Sequence, residues 1–275
     1  MSLPSPGGND TERPVRVGNW GVPREIRCRF RPTHRILGAF GGEGCAMSDL
    51  LLEGVVGSHA YGLNTPASDL DYLGVYVEPT RTLLGLHPPT RDRGTRHGRD
   101  GADATYHEVG KAMGLILACN PTVTEILWLE NYTVSNDFGA ELVALRSNFL
   151  SAQRVRHSYF GYAMAQFRRM LHRRETQGLA DPRLAKHARH TMRLLSQGYE
   201  LYTTGVLEVR LPDPEPYFEF GRQLTMETGE AAAKALIAEY EQKFDSAKSV
   251  LPEHANEAPL EDFLQRVRRA HLDDQ

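Results

Sequence analysis

Two aspartates one residue apart, Asp69 and Asp71, stand in the run DLDYLGVYV, which otherwise alternates like a β-strand. Acids are depleted in strands. Residues i and i+2 of a strand project to the same side of the sheet, so the spacing predicts two carboxylates on one face. Unpaired, they repel and one tends to stay protonated. A divalent cation removes the conflict, because Mg²⁺ takes hard oxygen ligands, commonly one or two carboxylates plus substrate phosphates. Two such ions can clamp an in-line displacement at phosphorus. The competing explanation is turn chemistry in PASD, which accounts for Asp69 but not for Asp71.

The phosphate side lies upstream. LLEGVVGS reads as a strand running into a turn at Gly57-Ser58. Glycine lets backbone approach a ligand closely, and helix N-terminal amides with a Ser hydroxyl can hold a phosphate. Ten residues separate Ser58 from Asp69, which suits a short helix returning to an adjacent strand. Asn64 and Thr65 are expected to shape that return, while His59 and Tyr61 stand open between lining a pocket and packing.

These residues carry a resemblance. GSHAYGLNTPASDLDYLGVYV resembles a bacterial and phage family of nucleotidyltransferases within the DNA polymerase β-type superfamily, whose pattern is GS-x-A-YGL-x-T-x-x-SD-x-D-x-RGV. ADATYHEVGKAMGLILACNPTVTEILWL, KHARHTMRLLSQGYELYTTG and SVLPEHANEAPLEDFLQRV are similar to later blocks of that family, so coverage runs from about residue 50 to 270. One departure is Leu73, where the family often has Arg. The resemblance implies transfer of a nucleoside monophosphate from an NTP such as ATP to an acceptor hydroxyl, with pyrophosphate leaving. It implies Asp69 and Asp71 on two Mg²⁺ ions, with Mn²⁺ as a substitute, and Gly57 and Ser58 on the β/γ-phosphates. It also implies a third metal-site acid on a neighbouring strand. Asp103, at the start of the strand-like ADATYHEV, is the first choice and Glu108 the rival.

The expected fold class is α/β: a small mixed twisted sheet followed by a helical domain. Residues 1–46, rich in Pro and Gly, read as a flexible leader, 47–150 as the nucleotidyltransferase domain and 151–275 as the helical domain. PTRTLLGLHPP reads as a loop with a short apolar piece, Arg91–Gly101 as a loop or a hairpin tip, and LPDPEPYFEF as a connector. Asn120-Pro121 reads as a cap and first residue of a helix TVTEILWLE, with Glu125 on its exposed side. Trp128, Tyr159 and Phe160 are expected in the core.

Charge is unevenly spread. The formal net charge is −3, yet Ser151–Arg193 carries ten Lys/Arg against two acids and Leu194–Gln275 eight against sixteen. Lys186, His190 and Arg193, with Arg189, fall at helical spacing and are expected to bind the triphosphate. The alternative is a solvated face. A basic block facing an acidic cleft suits an RNA 3′ end or tRNA as acceptor. A protein hydroxyl (AMPylation) or a small molecule comes second, and a non-catalytic nucleotide- or RNA-binding module third. Three cysteines without metal spacing or pairing point to a reducing cytoplasm. No run of 18 apolar residues predicts a membrane span, the N-terminus lacks a secretory h-region, and no oligomeric state is indicated.

Overall fold

LLLEGVV is apolar at nearly every position, the mark of a strand covered on both faces, and it forms β1 (Leu50–Val56) with Leu51 and Leu52 fully buried. The computed structural model describes residues 50–88, 94–97 and 102–272. The leader expected over residues 1–46 lies outside the described residues. A one-turn helix, α1 (Gly57–Tyr61), leads through a turn to β2 (Asp71–Tyr76). The expected loop after β2 contains a short helix, α2 (Thr80–Leu84), and β3 (Gly94–His97) stands within the stretch expected as a loop or a hairpin tip. Then come β4 (Asp103–Glu108), α3 (Val109–Leu117) and α4 (Pro121–Thr124). A 3-10 turn, Glu125–Trp128, precedes β5 (Val134–Ser135) and α5 (Asp137–Ala144). The five strands order as β3-β4-β2-β1-β5. β2 and β4 pair in parallel and the other neighbours antiparallel, giving the mixed sheet expected.

One rung of the sheet explains a glycine. Glu53 of β1, Gly74 of β2 and Tyr106 of β4 lie side by side. The Tyr106 ring lies over Gly74, where an added Cβ would come within 2.5 Å of it. Its hydroxyl donates to the Glu53 carboxylate at 2.6 Å.

The second half is helical. α6 (Ala152–Gln177) and α7 (Pro182–Thr204) pack side by side, with α8 (Glu215–Gln223), α9 (Gly229–Ser246) and α10 (Glu257–Ala270) following. The proline-rich connector thus becomes α8, since proline is tolerated in a helix's first turn, where the amide has no partner to lose. The Asp181 side chain accepts from the Arg183 amide at 2.9 Å and starts α7, and Gly205 at φ 76° ends it.

Two cores result. The helical one joins Tyr159, Phe167, Met170, Leu184 and Leu195 to Tyr61 and Leu63 from the sheet side. The sheet core joins Leu51, Val75, Ile116, Ile126 and Phe149 to Leu260, Phe263 and Val267 of α10. The chain therefore returns to the sheet after its helical excursion. Leu73 sits in this core, 3% exposed, and Tyr159 is buried as expected. No helix of the described residues is long and apolar enough to cross a membrane.

Candidate active site

The β1–β2 pairing puts Val56 opposite Asp71. Gly57 then leaves the strand at φ +72°, and a Cβ there would lie 2.7 Å from Asp71 Oδ2. The glycine is required twice, for its left-handed backbone and for the space that the carboxylate fills. Asp103 is the rung partner of Asp71 across the parallel β2–β4 pair, and its amide donates to Leu70 O at 3.2 Å. Asp69 differs from expectation. β2 begins only at Asp71, so Asp69 stands on the irregular approach to the strand and not on its pleat. A turn aims it instead: Ser68 N donates to Thr65 O, Thr65 N donates to Ser68 Oγ, each at 2.9 Å, and the His59 ring reaches Ser68 O at 3.3 Å.

The Asp71 carboxyl is pushed above its ordinary range, first by burial and then by the charges of Asp103 and Asp69, against the opposing pull of Lys186. The three acids thus share one electrostatic site with a cation from α7. Their donors are hard oxygens, which suits Mg²⁺ or Mn²⁺, and the crowded Asp71 is the group a cation would relieve. Among the described residues, no group of three His, Cys, Asp or Glu side chains closes to metal-ligand spacing. Glu108, the rival third acid, is otherwise engaged: it is 4% exposed, accepts from Gly110 N at 2.8 Å and pairs with Arg268 at 2.5 Å.

A cleft of about 350 Å³ opens beside Asp69, and neither Asp71 nor Asp103 lines it. One wall is Ser58, Thr65, Ser68 and Asp69; the other is Arg183, Lys186, Arg189 and His190 of α7. Lys186 and His190 therefore line the cleft. Arg193 does not. One turn further along α7, it is 3% exposed, and its guanidinium lies 3.8 Å from the centre of the Tyr61 ring. Arg193 lies in mid-helix next to Leu194 and Leu195, which are buried in the helical core. Arg183 was missed, although it sits three residues before Lys186, on the same helical face.

Glu125 corrects a second expectation. It is buried, not exposed: the helix expected over TVTEILWLE is one α turn followed by a tighter 3-10 turn, and Glu125 at their junction lies four residues after the buried Pro121. Burial pushes its carboxyl up to about 7, while Arg193, the Tyr61 hydroxyl and the Gly57 amide pull it down. Burial and the nearby Arg193 and Lys186 push the His190 imidazole down to about 3. His190 therefore faces the cleft as a neutral ring and not as part of a cationic ridge.

The sign of the His190 shift predicts a pH effect. A histidine depressed from 6.5 to about 3 favours folding above 6.5 and loses that contribution as pH falls, because the unfolded chain takes up the proton first. His190→Gln should therefore gain stability relative to the parent chain by about 1.4 kcal/mol per pH unit below 6.5. Urea melts of both chains from pH 7.5 to 4.5 check this, and a constant difference would refute it.

The model of the RNA repair pathway DNA polymerase beta family matches residues 42–262. A comparison with curated proteins returns no match. Among solved structures, a nucleotidyltransferase-like protein from Exiguobacterium sibiricum is similar at 16% identity, with a TM-score of 0.29, over 83% of this chain and 76% of that one.

Proposed function

Since the chain belongs to the RNA repair pathway DNA polymerase beta family and is a nucleotidyltransferase, we propose that it transfers a nucleoside monophosphate from an NTP to the hydroxyl of an RNA 3′ end or tRNA. The observation that carries this is the Asp71–Asp103 rung together with Asp69, which stands on one wall of a cleft whose other wall carries the cations of α7. Asp69, Asp71 and Asp103 would hold two Mg²⁺ ions, which when bound supply charge neutralisation and a more acidic acceptor hydroxyl. The Ser58 hydroxyl and the Gly57 turn would hold the β/γ-phosphates. Arg183, Lys186 and Arg189 would neutralise the triphosphate on the side away from the acids. Asp103 would orient the acceptor hydroxyl and take its proton as the oxygen attacks the α-phosphorus and pyrophosphate leaves. Positioning and charge neutralisation account for most of the expected rate. RNA is favoured as the acceptor by the family description and by the ten Lys/Arg against two acids over Ser151–Arg193.

The test is incubation with each α-labelled NTP, Mg²⁺ or Mn²⁺, and total RNA or protein. Label in RNA supports the proposal. Label in protein alone replaces the acceptor, and no transfer overturns the function.

The cleft also predicts a charge effect on binding. Lys186→Gln and Arg183→Gln should each weaken NTP binding roughly three- to tenfold. The salt dependence of binding should flatten as well, since exposed charges act through a screened field. Isothermal titration between 50 and 300 mM salt (roughly five- to fifteen-ångström screening) measures both. Unchanged affinity with an unchanged salt slope would make these residues a solvated face.

A further inference from the structure

Beneath the cleft, one buried carboxylate holds the far end of α1. Glu125, 3% exposed, accepts from the Tyr61 hydroxyl at 2.6 Å, and the Gly57 backbone at the near end favours its ionised form. Gly57 and Tyr61 are the first and last residues of the turn that carries Ser58 to the cleft wall. The Tyr61 ring is in turn gripped by α7. Arg193 lies on its face, 3.8 Å from the ring centre, and His190 meets its edge at 6.3 Å. Arg193 is itself fixed: it donates to Gln197 Oε1 at 2.7 Å, and Gln197 donates to the carbonyls of Glu208 and Val209 at 2.7 and 3.1 Å.

Packing alone does not call for this arrangement. Taking a carboxylate and a guanidinium out of water is costly, and well-packed apolar residues of similar volume commonly serve stability as well or better. What the charged set adds is direction. Gly57 must keep φ +72° and leave room for the Asp71 carboxylate, and the Tyr61–Glu125 hydrogen bond fixes the other end of the same short turn directionally, where an apolar contact would not.

We propose that Glu125 is a positioning residue for nucleotidyl transfer: with Tyr61 and Arg193 it holds the Gly57–Ser58 turn in its phosphate-ready shape and ties that shape to the seating of α7. The claim rests on the transfer function proposed above. The same helix then carries the cleft cations at one level and, one turn deeper, the brace of the facing wall. A shift of α7 moves both.

The test uses the full chain with Glu125→Gln and Tyr61→Phe, the second keeping the ring that Arg193 stacks on. Amide hydrogen exchange is read at Gly57 through Tyr61 and, for comparison, at Leu51 and Leu52 in β1. Steady-state transfer from the NTP is read alongside. Exchange in the turn should rise at least tenfold in both variants while β1 is unchanged. The kcat should fall at least tenfold in Glu125→Gln, and less in Tyr61→Phe. Unchanged exchange in the turn, or an equal rise across β1, would show Glu125 to be packing only and overturn the proposal. If Glu125→Gln does not fold, Tyr61→Phe decides on the same readouts. A parent chain that transfers nothing overturns the function proposed above, and the exchange comparison still decides whether Glu125 holds the turn.

Discussion

Asp71→Asn is expected to abolish nucleotidyl transfer, by about 10³-fold or more in kcat, while melting in a chelator holds or rises. The first half follows from place. Asp71 is the carboxylate between Gly57 and Asp103, with Asp69 and Lys186 as its charged neighbours. Asparagine keeps the volume and one carbonyl oxygen but removes the charge that a metal and triphosphate need. The second half follows from sign. The folded chain holds Asp71 above its ordinary carboxylate range, so its ionised form opposes folding. That opposition grows as pH rises through the raised value and is complete above it. Removing the charge removes the opposition. Rapid-quench transfer and thermal melts with EDTA at pH 5 and 7.5 check both halves. A variant with wild-type turnover would remove Asp71 from the reaction.

Asp103→Ala and Glu108→Ala should fail in opposite ways. Asp103 is the exposed first residue of β4, beside Asp71, and its loss should cost at least about 10²-fold in transfer with little change in melting. Glu108, five residues along the same strand, is buried, caps α3 and pairs with Arg268 of α10. Its loss leaves Arg268 a largely buried, unpaired charge, and breaking such a pair costs about 3–5 kcal/mol. Glu108→Ala should therefore unfold at lower temperature and keep near-normal turnover per folded molecule. Melting and active-site-normalised kinetics on both variants separate the two roles. If Glu108→Ala folds normally and is dead, the third acid is Glu108.

The pattern around Asp69 and Asp71 was legible because it is local. Gly57, Ser58 and the two acids lie within fifteen residues, and the strand that carries Asp71 shows in its alternation. Asp103 was legible through its place at the head of a strand-like run, though only the parallel register brings it to Asp71. Glu125 was not legible. It sits at the junction of two elements too short to leave a periodic signal, and its donor, Tyr61, lies 64 residues upstream. Arg193 was misjudged for a related reason. Helical spacing gives the face of a residue but not its depth, and Lys186 and Arg193 differ in depth alone. The helix α8 was hidden by prolines that its first turn accommodates.

The placement of α10 governs the order in which the protein can be made. Phe263 and Val267 complete a core whose other walls come from Leu51, Val75, Ile116 and Phe149. On a ribosome, those walls emerge long before the helix that covers them, and the whole of α6 to α9 is synthesised in between. During that interval the nascent sheet carries an open apolar face and an acid, Glu108, still without Arg268. Exposed apolar surface of this kind attracts chaperones and invites aggregation. A product ending before α10 would contain every residue that lines the cleft and still leave this face uncovered.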